Sequence, residues 1–300
     1  MASTAASMPF IKNLASSDRK IRTVAIETLK GFLTAKYAAS SASPLTFHDA
    51  QKLWAGLFYA LWMADRAPAQ QRLCDELAGL PKAVKLPDNA VAAWLRAFWA
   101  TMSREWTTGI DVLRMEKFML LVRRVLNAQI AWMKEEEEAR KIGLAILSQW
   151  PFNVDAEAEV EAPPSESDND DDDTAERRPR KRSRKVAPTV HIPVGLTMHV
   201  VDIWVDEAEK LDLLKTTKTD DEPSLAKEIN TLVETLAAKT TAPAVRQRTR
   251  EALEDERLPW VESTAKPEEE AAVGGGGIEG QADSNDDSDN ADDDWDGFND

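Results

Sequence analysis

The residues most often used for metal binding or nucleophilic catalysis are few and widely spaced in this sequence. The three histidines are His48, His191 and His199, and the single cysteine is Cys74. No pair among them has the spacing of a zinc motif, and the glycines at 274–277 have no lysine behind them to complete a phosphate-binding loop. The sequence therefore predicts no metal site, no cofactor, no small-molecule substrate site and no catalytic residue.

Paired carboxylates are the next group with chemical capability. Asp75 with Glu76, and Asp111 with Glu116, are close enough in sequence to act as acid and base or to bind magnesium. In amphipathic helices, however, such acids are ordinarily solvated surface groups or partners of cations one turn away. We favour this second interpretation, and a metal-dependent RNA-processing nuclease is kept as an alternative.

Basic residues in the first half suggest contact with nucleic acid. The candidates for contact with an RNA backbone are Lys12, Arg19, Lys20, Arg22, Arg123 and Arg124. No aromatic stripe of the kind that stacks on bases accompanies them, because the tryptophans lie within apolar runs. The pattern thus indicates phosphate contact rather than sequence-specific reading, with a plain solvated surface as the alternative.

A second basic group follows the acidic run at 168–173. It consists of Arg177, Arg178, Arg180, Lys181, Arg182, Arg184 and Lys185. A cation-rich peptide in a polar segment is typical of a nuclear localisation signal or a phosphate-binding arm. A linker whose cations balance the preceding acids is the alternative.

The elements that position these residues are helices. Apolar residues recur at helical spacing from Pro9 to about Trp150, without the sustained alternation of a strand. Asp18 and Thr46 are candidate N-caps for the first two long helices. The first is predicted to pack through Ile21, Val24, Ala25, Thr28, Leu29 and Phe32 and to end near Gly31.

The later helices are predicted from the same periodicity. They span 46–67, 69–80, 88–106 and 111–140, followed by 192–214, 224–239 and 243–256. Their large aromatics are expected to fill the core, namely Trp54, Phe58, Trp62, Phe98, Trp99 and Trp106. Helices of this length joined by short loops stack as antiparallel pairs, so we predict an all-α, HEAT-like helical repeat.

Composition divides the chain into four parts. We expect a helical-repeat body at 1–152, a disordered acidic and basic insertion at 153–190, a helical return segment that packs on the body at 191–258, and a disordered acidic tail at 259–300. Residues 1–152 carry 20 Lys and Arg against 14 Asp and Glu, a net charge of +6, and the whole chain carries −16, which leaves −22 for residues 153–300. A mildly basic body suits a phosphate-rich partner, and the acidic remainder suits basic proteins or only keeps itself solvated.

Weaker features of the sequence indicate the cellular compartment. A lone cysteine within an apolar helical pattern favours a reducing compartment and a buried structural thiol. No basic n-region precedes an apolar stretch, and no window approaches the ~18 apolar residues of a membrane span. Secretion and membrane association are not expected.

Four segments resemble a known family. They are PFIKNLASSDRKIRTVAIETL at 9–29, LWAGLFYALWMADR at 53–66, FWATMSREWTTGIDVLRMEKFMLLVRRVL at 98–126 and GLTMHVVDIWVDEAEKL at 195–211. Together they are similar to the eukaryotic nucleolar family called ribosomal RNA processing protein 1. The segments span most of residues 9–215, and the insertion at 155–187 and the tail lie outside them.

The resemblance implies a function. It implies a helical-repeat protein of the nucleus and nucleolus that supports processing of precursor ribosomal RNA toward the large (60S) subunit, without catalytic residues. Expected partners are other pre-60S assembly factors and ribosomal proteins, together with precursor ribosomal RNA through backbone contacts. An acidic chaperone for basic ribosomal proteins, acting through the tail, is the other alternative.

Overall fold

The computed structural model describes residues 10–38, 44–160, 188–215 and 224–261. The chain divides into units at 1–262 and 263–300, and all described residues lie in the first. The helices are α1 (Phe10–Leu14), α2 (Arg19–Tyr37), α3 (Phe47–Trp62), α4 (Ala67–Ala83), α5 (Asp88–Thr108), α6 (Met115–Glu135), α7 (Glu137–Gln149), α8 (Val194–Lys210), α9 (Leu225–Lys239) and α10 (Pro243–Leu253). A 3₁₀ turn at Val112–Arg114 precedes α6, and two strands, β1 (Glu157–Glu159) and β2 (Thr189–His191), precede α8.

The helices form a stack in which each packs on near neighbours. α3 packs on α5, α4 on α6, and α6 also contacts α7 and α8. The stack continues through α10, which packs on both α8 and α9. The prediction of an all-α, repeat-like fold is confirmed.

Local sequence explains where several helices begin. The Asp18 side chain accepts a hydrogen bond from the Lys20 backbone N–H at 2.7 Å, and the Thr46 hydroxyl accepts one from the Asp49 N–H at 3.1 Å. Each satisfies a backbone donor that the first helical turn leaves without a partner. Both predicted N-caps are confirmed.

The packed face of α2 differs from the prediction. Ile21 and Val24 are 44% and 65% exposed, and the buried positions are Arg22, Ala25, Ile26, Leu29, Leu33 and Tyr37. The face is rotated because the guanidinium of Arg22 lies inward, against backbone carbonyls of the preceding turn. The helix also continues past Gly31, since burial of Leu33 and Tyr37 outweighs the ~1 kcal/mol cost of a mid-helix glycine.

The single helix predicted at 111–140 is wrong. Residues 112–114 form a 3₁₀ turn, and Glu136 takes an extended conformation that separates α6 from α7. The two helices then fold back on each other and cross closely at Gly143, where a Cβ would overlap the Met133 side chain. A larger residue at this position would require the Met133 side chain to move, so Gly143 favours the close crossing of α6 and α7.

The small antiparallel sheet was not predicted. β1 pairs with β2 in the register Glu157 to His191, Ala158 to Val190 and Glu159 to Thr189. All of these residues except His191 fall within the segment 153–190 that was assigned to the disordered insertion, yet residues 153–160 and 188–190 are part of the described structure. Only Ala158 is buried in β1, so the strand has no apolar alternation that would reveal it.

The core is built around tryptophans, as expected. Trp54 and Trp99 are fully buried, and their indole N–H groups donate to Trp94 O and to Gln129 Oε1, each at 3.0 Å. Of the six predicted core aromatics five are buried, whereas Trp62 is only partly buried. The predicted burial of Cys74 is confirmed, and this burial raises the pKa of its thiol to about 12.

Candidate functional site

One end of the helical stack brings together the start of α2, the end of α3, and the starts of α4 and α6. A groove of about 620 Å³ lies there between α2 and α4, with the α3–α4 turn along one side. We call it the α2–α4 groove and define it by its charged lining residues, which are Arg19, Arg22, Asp65, Arg66, Arg72 and Glu76. Its apolar lining includes Ile26, Ala60, Met63 and Leu73.

Arg22 fixes one side of the α2–α4 groove. It is 8% exposed, and its Nη1 donates to the carbonyls of Ser16 and Ser17, each at 2.8 Å. Hydrogen bonds from a charged donor are among the stronger ones in proteins. The charge of Arg22 is thus used to hold the turn before α2.

Lys117 fixes the opposite side. Its Nζ donates to Trp62 O at 2.7 Å and to Ala64 O at 2.9 Å, and Gln70 Nε2 also donates to Ala64 O at 2.8 Å. Lys117 is 5% exposed and forms no ion pair with a carboxylate of the described residues. Burial lowers the pKa of Lys117, and the positive charge of Arg114 lowers it further.

Three arginines of the α2–α4 groove remain available to a ligand. Arg19, Arg66 and Arg72 are exposed, and within the described ranges none of their side chains has an ion pair or hydrogen bond. The lining carries four arginines against two carboxylates, a formal charge of +2. One of the acids, Glu76, is neutralised by Lys30 at 2.6 Å. Such a surface is suited to phosphate.

An exposed apolar tip lies at the same end. Val112 and Leu113 are 84% and 90% exposed, and we call them the 112–113 tip. Asp111 holds their turn by accepting from the Arg114 N–H at 3.1 Å and pairing with the Arg114 guanidinium, which also lies 4.6 Å from the Trp62 ring centroid. The tip was not predicted from the sequence, because helical spacing placed both residues inside a helix. The position of Val112 and Leu113 outside the apolar stripe of α6 is the sequence feature that could have identified them as exposed.

The six predicted RNA-contact residues do not form one site. Arg19 and Arg22 meet in the α2–α4 groove, where only Arg19 is free, and Lys12 and Lys20 are exposed nearby in sequence on α1 and α2. Arg123 and Arg124 instead join α6 to its neighbours. Arg123 pairs with Asp206 and with Glu207 of α8, the latter at 2.7 Å, and Arg124 Nε lies 2.8 Å from Asp75 Oδ1 of α4 without a hydrogen bond.

Three of the four acids proposed for nuclease chemistry are engaged in ion pairs, and the fourth, Glu116, is exposed and has no ion pair among the described residues. Asp75 pairs with Arg124, Glu76 with Lys30 and Asp111 with Arg114. In the part of the chain that the structure describes, no three His, Cys, Asp or Glu side chains are grouped to hold a metal ion. Within the same residues, no helix combines the length and hydropathy required to cross a bilayer. The predicted cluster at 177–185 lies outside the described residues.

Comparison with known proteins identifies the family. A family model described as the nucleolar protein Nop52 matches residues 5–298, nearly the whole chain. The chain belongs to the Nop52 family. Members are nucleolar proteins, which places this Nop52 protein in the nucleus and nucleolus, as the sequence resemblance implied.

Curated relatives carry the name expected from the resemblance. The Nop52 chain is 28% identical over 211 residues to human ribosomal RNA processing protein 1 homolog B, a match to 69% of the chain and 23% of that protein. It is 37% identical over 123 residues to human homolog A, with 41% of the chain and 26% of the relative covered. The Drosophila melanogaster homolog is 26% identical over 200 residues, which are 67% of the chain and 24% of that protein. The matches thus span about a quarter of the length of these relatives.

Proposed function

We propose that this Nop52 protein acts in ribosomal RNA processing as a non-catalytic assembly factor of the large (60S) ribosomal subunit. In this role it binds other assembly factors and ribosomal proteins within pre-ribosomal particles. The names of its relatives support a role in ribosomal RNA processing. The observation that carries the proposed docking role is the 112–113 tip.

The 112–113 tip has the properties of an anchor for a protein partner. Full burial of a Val or Leu side chain contributes about 1.5–3 kcal/mol, so covering both contributes about 3–6 kcal/mol before the costs of association. The Asp111–Arg114 contacts already fix the turn, which reduces the entropy lost on binding. Burial of this pair would therefore contribute part of the free energy that holds a protein partner.

The charged residues support a non-catalytic role. A magnesium-dependent nuclease requires carboxylates that are free to bind the ion, whereas of the four candidate acids Asp75, Glu76 and Asp111 are each paired with a cation. Among the described residues this leaves Glu116 as the unpaired acid. The net charge of +6 on residues 1–152 is also small for a protein held by phosphate contacts alone. Protein contacts are therefore expected to dominate binding to the particle.

The test is co-purification of a tagged chain from nuclear extract, with and without RNase, at moderate salt. Large-subunit ribosomal proteins and assembly factors, identified by mass spectrometry, should remain bound after RNase. They should be lost from the Val112→Ser/Leu113→Ser variant. They should be retained by Ile21→Ser/Val24→Ser, which also removes two exposed apolar side chains.

Two results would overturn the proposal. If RNase released every partner from the wild-type chain, association would depend on RNA and the scaffold role would be wrong. If the tip variant kept all partners, the docking role assigned to the tip would be wrong. Thermal melting of each variant separates lost binding from lost folding.

A further inference from the structure

We propose that the α2–α4 groove binds the phosphodiester backbone of single-stranded RNA, through Arg19 on one side and Arg66 and Arg72 on the other. This inference rests on the proposed function, because it specifies how an assembly factor would touch the RNA of its particle. Neither Arg66 nor Arg72 was among the residues expected to contact RNA.

The cations around the groove fall into two groups with different roles. Two cations with little exposure, Arg22 and Lys117, donate to backbone carbonyls and so hold the two sides of the groove. The exposed cations, Arg19, Arg66 and Arg72, have no side-chain partner among the described residues. The charges of Arg22 and Lys117 are thus used within the fold, and the free guanidinium groups face solvent on a backbone that these two residues already hold in place.

The free arginines of the groove are chemically suited to phosphate. A guanidinium presents planar paired donors that match phosphate oxygens, and it stays charged at every physiological pH. Of the two carboxylates in the lining, Glu76 is paired with Lys30, which leaves Asp65 as the unpaired acid against three free arginines. The groove therefore favours an anion with repeated charges.

The lining of the groove favours a single strand of nucleic acid. The lining contains aliphatic and methionine side chains such as Ile26, Met63 and Leu73, and no aromatic ring. Base stacking is therefore not available in the groove, and the apolar lining offers a surface to ribose. A flexible single strand can follow a short groove that a rigid duplex cannot enter. Binding through phosphates alone is independent of sequence.

The experiment measures binding of the full chain to a fluorescently labelled 20-nucleotide oligouridine by anisotropy. The Arg66→Gln/Arg72→Gln variant should bind about tenfold more weakly at low salt, because two charged contacts are lost. The slope of log affinity against log salt should fall by about 1.4, at ~0.7 per phosphate contact for single strands. Arg248→Gln/Arg250→Gln, which removes two exposed arginines from α10, should change affinity less than twofold.

Different results would contradict the RNA-binding proposal in different ways. No binding by the wild type, or equal losses in both double variants, would show that the groove is not an RNA site. Binding of a polyglutamate peptide with the same dependence on Arg66 and Arg72, but tighter than that of RNA, would assign the groove to an acidic protein. Thermal melting checks the fold of both variants.

The proposed function is tested independently of the groove. If the groove variant still co-purifies with RNase-resistant partners, the scaffold role stands whatever its RNA affinity. If those partners are lost from the wild type on RNase treatment while the groove variant shows the expected RNA defect, the scaffold role fails and the groove assignment stands.

Discussion

Replacing Lys117 with Met is expected to destabilise the fold and to weaken the α2–α4 groove at the same time. Lys117 Nζ donates to Trp62 O at 2.7 Å and to Ala64 O at 2.9 Å, and Met keeps the aliphatic packing but removes both bonds. Ala64 O retains its bond from Gln70 Nε2 at 2.8 Å, so mainly the Trp62 carbonyl is left without its donor.

The size of the effect follows from two opposing contributions. Hydrogen bonds from a charged donor contribute about 1.5–3 kcal/mol each, but removing a buried ammonium also relieves its desolvation cost. We expect a net loss of about 2 kcal/mol, equivalent to ~4–8 °C in Tm for a domain of this size. Oligouridine affinity should fall about threefold, because Arg66 follows the loosened turn and must be ordered on binding.

The assay combines thermal unfolding with oligouridine anisotropy on the same preparations. Lys52→Met is the matched control, since Lys52 is on α3 with a side chain 47% exposed, and its nearest acid, Asp49, is 3.9 Å away. The control should lose little stability and no RNA affinity. If Lys117→Met melted at the wild-type temperature, or no lower than the control, the reasoning that Lys117 fixes the α3–α4 turn would be refuted.

Two further predictions concern the core thiol and the basic cluster. The Cys74 thiol has an ordinary pKa of 9.0 and a folded pKa raised to about 12 by burial, so above pH 9 the unfolded state loses its proton first and stability falls by about 1.4 kcal/mol per pH unit. Denaturant unfolding between pH 8 and 10 should show about this much more loss for the wild type than for Cys74→Ala, and equal losses would contradict the assignment. Replacing the seven cations of 177–185 with Ala should shift a tagged chain toward the cytoplasm without changing its melting temperature. Unchanged nuclear accumulation would contradict the role of the cluster as a nuclear localisation signal. A phosphate-binding arm and a charge-balanced linker would then be the remaining interpretations.

Features that depend on neighbours in sequence were predictable. Asp18 and Thr46 cap helices because a short polar side chain just before an apolar periodic run reaches the first free N–H groups. The buried aromatics were predictable for a related reason. Rings at helical spacing on both α3 and α5, such as Trp54 and Phe98, must face each other when the helices stack, and here their centroids are 4.9 Å apart.

Features that depend on tertiary contacts were not predictable. The face of α2 was misplaced because an arginine, Arg22, occupies a buried position where an apolar residue is expected. The carbonyls of Ser16 and Ser17 that accept its hydrogen bonds are near in sequence, but helical periodicity does not reveal them. Glutamates are good helix formers, so the break at Glu136 follows from the packing of α7 back onto α6 rather than from propensity. The α2–α4 groove joins residues from α2, the end of α3, the α3–α4 turn and α4, and Arg66 and Arg72 are isolated cations in the sequence.

The tip and the groove are connected through one chain of contacts. Arg114 fixes the 112–113 tip by pairing with Asp111 and lies over the ring of Trp62. The carbonyl of Trp62 accepts from Lys117, and Lys117 also holds Ala64, two residues before Arg66 in the groove. A protein on the tip and an RNA strand in the groove would therefore meet the same fixed end of the stack. On the two proposals, a body of modest positive charge would orient RNA without binding it tightly, because the protein contact would provide most of the affinity and the three free arginines would set the position of the RNA strand.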